Sequence, residues 1–222
     1  MSKSEPSNRW LRLGRVRHLA LYTTFHQSRG NKLAHGAFVP VILFTTTVIL
    51  AHARLAIGGP LGSVAHIATP VAVGLGAVLA TIDLAGAALL TAFLLGACAL
   101  AGALVGMLPA GVLVPVCALL HGLAWYGTVV VGHVRIEPAL ATEGGPEDSN
   151  LYFRRGYYLA RDLGTEVGVL DALVQFTIAP LSVVQDGLAL LGLRRRLEHD
   201  VALERARLVS RLARGEAPLA VS

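Results

Sequence analysis

The chain has 222 residues, of which 54% are hydrophobic and 15% are charged, and its formal net charge is +5. Soluble domains carry about 25% charged residues, so this composition excludes an ordinary soluble protein. From Leu55 to Gly132 the only charged side chain is Asp83, and the basic residues collect towards the two ends. Basic flanks beside membrane spans explain the positive charge better than nucleic acid binding does. We therefore predict an all-α membrane protein that binds no nucleic acid.

The apolar runs divide the chain into three regions. Residues 1–17 form a basic N-terminal segment, residues 18–193 a helical membrane domain, and residues 194–222 a basic amphipathic tail. About 20 apolar residues are needed to span a bilayer, which predicts four transmembrane helices at about 34–53, 64–82, 84–106 and 110–132. The apolar run 172–185 is too short to span comfortably, so it is predicted to be re-entrant or interfacial.

Asp83 interrupts an apolar stretch, residues 64–106, that is too long for one span and right for two. We predict that Asp83 marks a tight turn between the second and third spans. The alternative is an intramembrane carboxylate with a functional role. Small residues such as Gly76 and Gly86 are predicted to let these two helices approach closely. Cys98 and Cys117 fall inside apolar runs and are predicted to be small buried hydrophobic residues.

Four spans place both basic ends on one face of the membrane, and the positive-inside bias makes that face cytoplasmic. A five-span arrangement is the second choice because it puts one basic end outside. The abundance of Ala, Arg, Gly and Leu is typical of a GC-rich bacterial genome. This predicts the bacterial inner membrane, or the endoplasmic reticulum in a eukaryote, with lipid as the surrounding partner.

Histidines at the ends of the first and fourth spans are candidate metal ligands. Nine residues separate His26 from His35, so a straight helix would place them on opposite faces, and we predict a helix break at Gly30. His133 lies on the same predicted membrane face, with Glu137 one turn later. Histidines with a carboxylate and open positions suit non-haem iron(II).

The alternative for these histidines is hydrogen bonding between helices, which spacing alone does not exclude. His121 lies twelve residues before His133, an offset of about 120° and about 18 Å in a regular helix, which weakens the case for a shared ion. His52, His66 and His199, and less firmly His18, are predicted to be ordinary hydrogen-bonding residues.

Two motifs carry a family resemblance. In LYTTFHQSRGNKLAHGAFVPVILF an aromatic residue is followed by H-x4-N-x3-H-x4-P, and HGLAWYGTVVVGHVRIEPAL has a histidine, a tryptophan, GH, a glutamate four residues on, and PAL. These motifs, with a weaker match at residues 179–192, resemble the iron(II)-dependent 2-hydroxy fatty acid dioxygenases. That membrane family includes the fungal protein that degrades phytosphingosine to odd-numbered fatty acids. The matching residues are Tyr22, His26, Asn31, His35, Pro40, His121, Trp125, Gly132, His133, Glu137 and Pro138 to Leu140.

The resemblance implies α-oxidation, in which a long-chain 2-hydroxy fatty acid and O2 give a fatty acid one carbon shorter. It implies Fe(II) as cofactor, with His26, His35, His121 and His133 as ligands. Glu137 would be a ligand or a base, and Asn31 and Tyr22 would support the ligands. Arg29, Lys32 and Arg135 are the candidates for pairing with the substrate carboxylate.

The chain departs from the family pattern near the second motif. Val129 replaces the usual glutamine, the PAL follows the glutamate more closely, and the interval from His121 to His133 is one residue longer. We predict that a π-bulge absorbs the extra residue and turns His121 back towards His133. Two other functions remain open: a non-redox zinc enzyme acting on lipids, and a membrane scaffold or transporter without enzymatic activity.

Overall fold

The computed structural model of the protein describes residues 14–24, 26, 28–53, 66–136 and 165–214. These residues form seven α-helices and one π-helical segment, as the composition predicts. The helices are α1 (Gly14–Thr24), α2 (Arg29–Ala51), α3 (Ala68–Ala80), α4 (Leu84–Met107), α5 (Ala110–Trp125), the π segment (Tyr126–Ile136), α6 (Thr165–Leu190) and α7 (Arg195–Ala213).

Three helices are long and apolar enough to cross a membrane: Arg29–Ala51, Leu84–Met107 and the continuous helix Ala110–Ile136. They coincide with the first, third and fourth predicted spans. The second predicted span contains α3, whose 13 residues cover about 20 Å, less than the ~30 Å core of a bilayer. Residues 54–65, which precede α3, lie outside the described part of the chain. The length and composition of these helices are those of a multi-pass membrane protein. A fourth span stays a prediction.

The helix α6 is longer than the sequence indicated. It has 26 residues, about 39 Å of helix, and contains the whole predicted segment 172–185. The prediction took Asp171 and Asp186 as its boundaries, but aspartate is only moderately unfavourable inside a helix, and α6 continues through both. The predicted tail begins with the 19-residue helix α7. The re-entrant or interfacial position of this segment stays a prediction.

Contacts divide the chain into two compact units, residues 33–131 and residues 1–32 with 132–222. In the first unit, Val48 and Ala51 of α2 form a buried cluster with Ala101 of α4 and with Leu113 and Cys117 of α5. Both cysteines are buried and free, as predicted. Large apolar side chains elsewhere on α3 to α5 are exposed, as expected for helices that face lipid.

Asp83 forms the turn between α3 and α4, as predicted. Its buried carboxylate caps α4 by accepting a hydrogen bond from the backbone N–H of Gly86 at 3.0 Å, which satisfies one of the free donors at the helix start. Along the same pair of helices, a Cβ at Gly76 would collide with the side chain of Thr91. The predicted packing role of small residues is therefore observed at Gly76.

In the second unit α1 packs against α7 and α6. Six of the seven residues from His18 to Thr24 are buried, so most of this segment packs inside the unit. Arg17 donates to the carboxylate of Glu204 on α7 at 3.1 Å. This ion pair and the apolar contacts around it hold α1 in place immediately before His26.

Candidate metal centre

Among the described residues, His26, His35 and His133 form a group able to hold a metal ion. Each offers one ring nitrogen, and these atoms all lie within 4.8 Å of one another. All three imidazoles are buried, with exposed fractions of 3%, 6% and 2%. Buried imidazole nitrogens that converge in this way can serve as ligands of one metal ion.

A break between two helices brings His26 to this position. The helix α1 ends at Thr24 and α2 begins at Arg29, so the break comes before Gly30, the position that we predicted for it. The Ser28 hydroxyl accepts a hydrogen bond from the backbone N–H of Asn31 at 3.0 Å, which makes Ser28 the N-cap of α2. Serine is a favoured N-cap, so Ser28 is a sequence signal for this helix boundary.

Gly30 does not form the helix break; it allows α2 and the π segment to approach each other closely. It lies in the first turn of α2, and a Cβ there would come within 2.6 Å of the Ile136 side chain. Because only glycine leaves this space free, the first turn of α2 can lie against the end of the π segment. This contact places Asn31 beside His133.

Hydrogen bonds fix the tautomer of His26. Its Nδ1 lies 2.9 Å from the backbone carbonyl oxygen of Tyr22, and a carbonyl only accepts, so Nδ1 carries the proton and Nε2 keeps its lone pair. The ring stacks on Tyr22 at a centroid distance of 3.8 Å and meets His133 edge-on at 4.6 Å. Metal-binding histidines commonly donate their other N–H to a carbonyl in this way.

Asn31 lies fully buried beside His133. The Asn31 amide and His133 Nδ1 are 3.5 Å apart, at the long limit for a hydrogen bond. An asparagine amide can present either its oxygen or its nitrogen. With the oxygen turned to His133, Nδ1–H donates to it and Nε2 is available to a metal. The supporting role that the motif assigned to Asn31 stays a prediction, and His35 follows one turn later on the same helix.

The π-bulge predicted between His121 and His133 is present, and it extends from Tyr126 to Ile136. A Cβ at Gly127, near its start, would collide with the ring of Phe38 on α2. The helix therefore leaves regular α-helical geometry before His133, as predicted, whereas the extra residue relative to the family pattern stays a prediction.

The same bulge does not make His121 a member of the histidine group. Trp125 Nε1–H donates to His121 Nε2 at 2.8 Å, and His121 Nδ1 lies 2.9 Å from the Thr45 hydroxyl. Because an indole N–H only donates, Nε2 accepts, and Nδ1–H donates to Thr45. The Thr45 hydroxyl in turn donates to the carbonyl of Val41 at 2.8 Å. The prediction that His121 ligates the metal is not supported, since its one lone pair is used by Trp125.

The predicted carboxylate-binding residues lie in different surroundings. Arg29 and Arg135 are exposed, whereas Lys32 pairs with Asp186 of α6 at 3.1 Å. Glu137 lies outside the described residues, one position after the π segment, so its role stays a prediction.

Comparison of the chain with protein-family models, with curated proteins and with solved structures finds no match. The family therefore stays a resemblance carried by two motifs. Within those motifs, His26, Asn31, His35 and His133 lie together in space.

Some polar residues near the motifs have structural roles that the sequence only partly revealed. Thr45 is the partner of His121, and no spacing rule pointed to it. His66, which precedes α3, donates from Nε2 to the Cys98 carbonyl of α4 at 3.2 Å, so it is a hydrogen-bonding residue, as predicted. His52, directly after α2, donates from Nδ1 to the Val48 carbonyl of that helix at 3.0 Å, and His199 is exposed on α7.

Proposed function

We propose that this protein is an iron(II)-dependent dioxygenase that shortens 2-hydroxy fatty acids by one carbon. The observation that carries the proposal is the buried group of His26, His35 and His133, whose ligand atoms lie within 4.8 Å of one another. The group belongs to a chain with three helices able to cross a membrane, as suits a lipid substrate. The motif resemblance supplies the identity of the reaction.

The donor set fits the proposed metal. Neutral imidazoles suit iron(II), and the Tyr22 carbonyl holds His26 in the tautomer that leaves Nε2 available. Three protein ligands leave positions for a substrate and for O2. Bound there, iron(II) would supply the one-electron chemistry with O2 that amino-acid side chains do not perform.

The chain's own residues would orient the substrate and keep water out. The ligands are at most 6% exposed, which protects a reactive centre from solvent. Asn31 would hold the His133 ring in place, and the acyl chain would be stabilised by burial among apolar helices. We propose Glu137 as a fourth ligand or as the base for the 2-hydroxyl proton.

Arg29 and Arg135 are the better candidates for the substrate carboxylate. Both are exposed, and an arginine can bind a carboxylate through two parallel hydrogen bonds. Lys32 is the weaker candidate because its ammonium group is already paired with Asp186.

The proposed reaction balances without a further reductant. A 2-hydroxy acid gives up four electrons when its C1–C2 bond breaks and C1 leaves as CO2, and one O2 accepts four. The products are the shortened fatty acid, CO2 and water. A membrane enzyme with iron and O2 as its only non-protein reactants is therefore chemically sufficient.

Metal analysis tests the proposal first. The wild-type protein, purified without oxygen in detergent and loaded with iron(II), is expected to bind about one iron per chain, because three imidazoles converge on one point. A His35→Ala/His133→Ala variant is expected to lose it. His199→Ala, which removes an exposed histidine, is the matched control and should keep the iron.

Oxygen uptake with 2-hydroxy fatty acids then tests the reaction, with unsubstituted fatty acids as the comparison. Uptake that depends on the hydroxyl group and on iron would support the dioxygenase. Binding of zinc in preference to iron would favour a non-redox enzyme at the same histidines. An absence of metal in the wild-type protein after loading would contradict the proposal.

A further inference from the structure

A cavity of about 140 Å³ lies within the unit formed by residues 1–32 and 132–222. Its walls come from α1, the first turn of α2, the end of α6, the following turn and α7. None of the three histidines of the metal centre lines it. The wall is formed by Leu19, Thr23, Lys32, Ser182, Gln185, Asp186, Ala189, Leu193, Arg194, Leu197, Glu198, Val201, Ala202 and Arg205.

The cavity contains a buried hydroxyl group. Ser182 is 3% exposed, and its Oγ has no hydrogen-bond partner among the described residues. A serine inside a helix usually donates to the carbonyl four residues earlier, whereas Ser182 makes no such bond with a described residue. An unsatisfied buried hydroxyl costs free energy, so a ligand oxygen in the cavity would stabilise it.

The charged side chains around the cavity favour an anion. Lys32 and Asp186 neutralise each other at 3.1 Å. The lining as a whole has three basic side chains, Lys32, Arg194 and Arg205, and two acidic ones, Asp186 and Glu198, so its formal charge is +1. A single oxyanion would balance this charge and could also accept the Ser182 hydroxyl proton.

Size and surroundings indicate that the anion belongs to a lipid. A cavity of about 150 Å³ holds a molecule of benzene's size, so this cavity has room for a headgroup and not for a whole lipid. Its apolar wall includes Leu193, which is 52% exposed, and Leu190 and Leu191 beside it are 81% and 75% exposed. These leucines, neighbours of Leu193 in the chain, form an exposed apolar stretch against which an acyl chain would lie.

We propose that this cavity binds the oxyanion headgroup of an acyl lipid, a phosphate or a carboxylate, with Ser182 and Arg205 as its ligands and the chain along Leu190–Leu193. Free inorganic phosphate would satisfy only the polar half of the site. This site is separate from the proposed oxidation, because it uses none of the metal ligands. Lipid binding here does not depend on the chain being an oxygenase.

Native mass spectrometry of the full-length protein in zwitterionic detergent tests the site. The probes are phosphatidylglycerol, a long-chain free fatty acid and inorganic phosphate, each titrated separately. We expect one saturable lipid per chain, with either lipid binding far more tightly than inorganic phosphate. Arg205→Gln should weaken binding about tenfold, because it removes one charge-assisted hydrogen bond. Arg196→Gln, an exposed arginine outside the cavity wall, should leave binding unchanged.

Ser182→Ala separates a ligand role from a structural one. It should weaken lipid binding about fivefold while leaving thermal stability without lipid equal or higher, because it removes an unsatisfied buried hydroxyl. Binding to one lipid class alone would identify the headgroup as phosphate or carboxylate. Unchanged lipid binding in Arg205→Gln, or inorganic phosphate binding as tightly as the lipids, would overturn the proposal.

Discussion

At the scale of single residues, the candidate centre depends on hydrogen bonds from backbone and amide groups. The Tyr22 carbonyl selects the His26 tautomer, and the Ser28 hydroxyl begins the helix that carries Asn31 and His35. Partners of this kind orient metal ligands and are worth 10- to 100-fold in metal affinity. The residues that hold the imidazoles therefore matter to the site almost as much as the imidazoles do.

Asn31 offers a direct test at this scale. Asn31→Ala keeps all three imidazoles but removes the amide beside His133, so iron(II) affinity should fall roughly 10- to 100-fold. Asn31→Asp is the matched variant, because a carboxylate can accept the His133 Nδ1–H and should restore most of the affinity. Competition with a coloured chelator measures both, with melting temperature as the folding check. Equal affinity in Asn31→Ala and wild type would show that the amide does not orient the ring.

At the scale of elements, close helix contacts depend on single glycines in well-defined places. Gly76 lets α3 approach Thr91 of α4, and Gly127 lets the π segment approach Phe38 of α2. Between membrane helices there is little hydrophobic driving force, so the closeness of packing contributes much of the stability. Many other glycines in these helices face open space and make no such contribution.

Gly76 and Gly74 provide a matched pair on one helix. Gly76→Ala places a methyl group against Thr91 and should destabilise the protein by about 1–3 kcal/mol, the usual range for overpacking. At Gly74 a Cβ meets nothing within 4 Å, so Gly74→Ala should be neutral or slightly stabilising. Thermal unfolding in detergent measures both variants. Adding Thr91→Ala to Gly76→Ala should recover part of the loss, and an equal effect at the two glycines would contradict this account.

At the scale of the whole molecule, one ion pair restricts the membrane topology. Arg17 and Glu204 lie 3.1 Å apart, and such a pair cannot form across a hydrocarbon core of ~30 Å. The number of crossings between them must therefore be even. If all three helices that are able to cross do so, an even count requires a fourth crossing, and α3 and α6 are the described helices that could make it.

Cysteine accessibility decides which helix makes the fourth crossing. With a membrane-impermeant maleimide, Ser4→Cys and Ser210→Cys should be labelled from the same face, the cytoplasmic one if the positive-inside bias holds. If α3 crosses, as the sequence predicts, Leu84→Cys shares that face and Met107→Cys is labelled from the other. Labelling of Leu84→Cys from the opposite face would assign the fourth crossing to α6. Labelling of Ser4→Cys and Ser210→Cys from opposite faces would contradict an even number of crossings.

The sequence by itself determined what is local or repeated along the chain. Apolar run length predicted three of the long helices, Asp83 predicted the turn that it caps, and one extra residue before His133 predicted the π segment. These features follow from residue types and from the length of a bilayer, so they need no knowledge of distant contacts. The convergence of His26 and His35 was also predictable from the sequence, because their spacing requires a helix break between them.

Only the tertiary structure decided which polar groups meet. The family resemblance and the predicted π-bulge placed His121 among the metal ligands, but Trp125 and Thr45 occupy both of its nitrogens. Lys32 looked available for a substrate and is paired with Asp186, a residue 154 positions away. The partner of a side chain depends on how helices far apart in sequence pack together, and neither spacing nor composition contains that information.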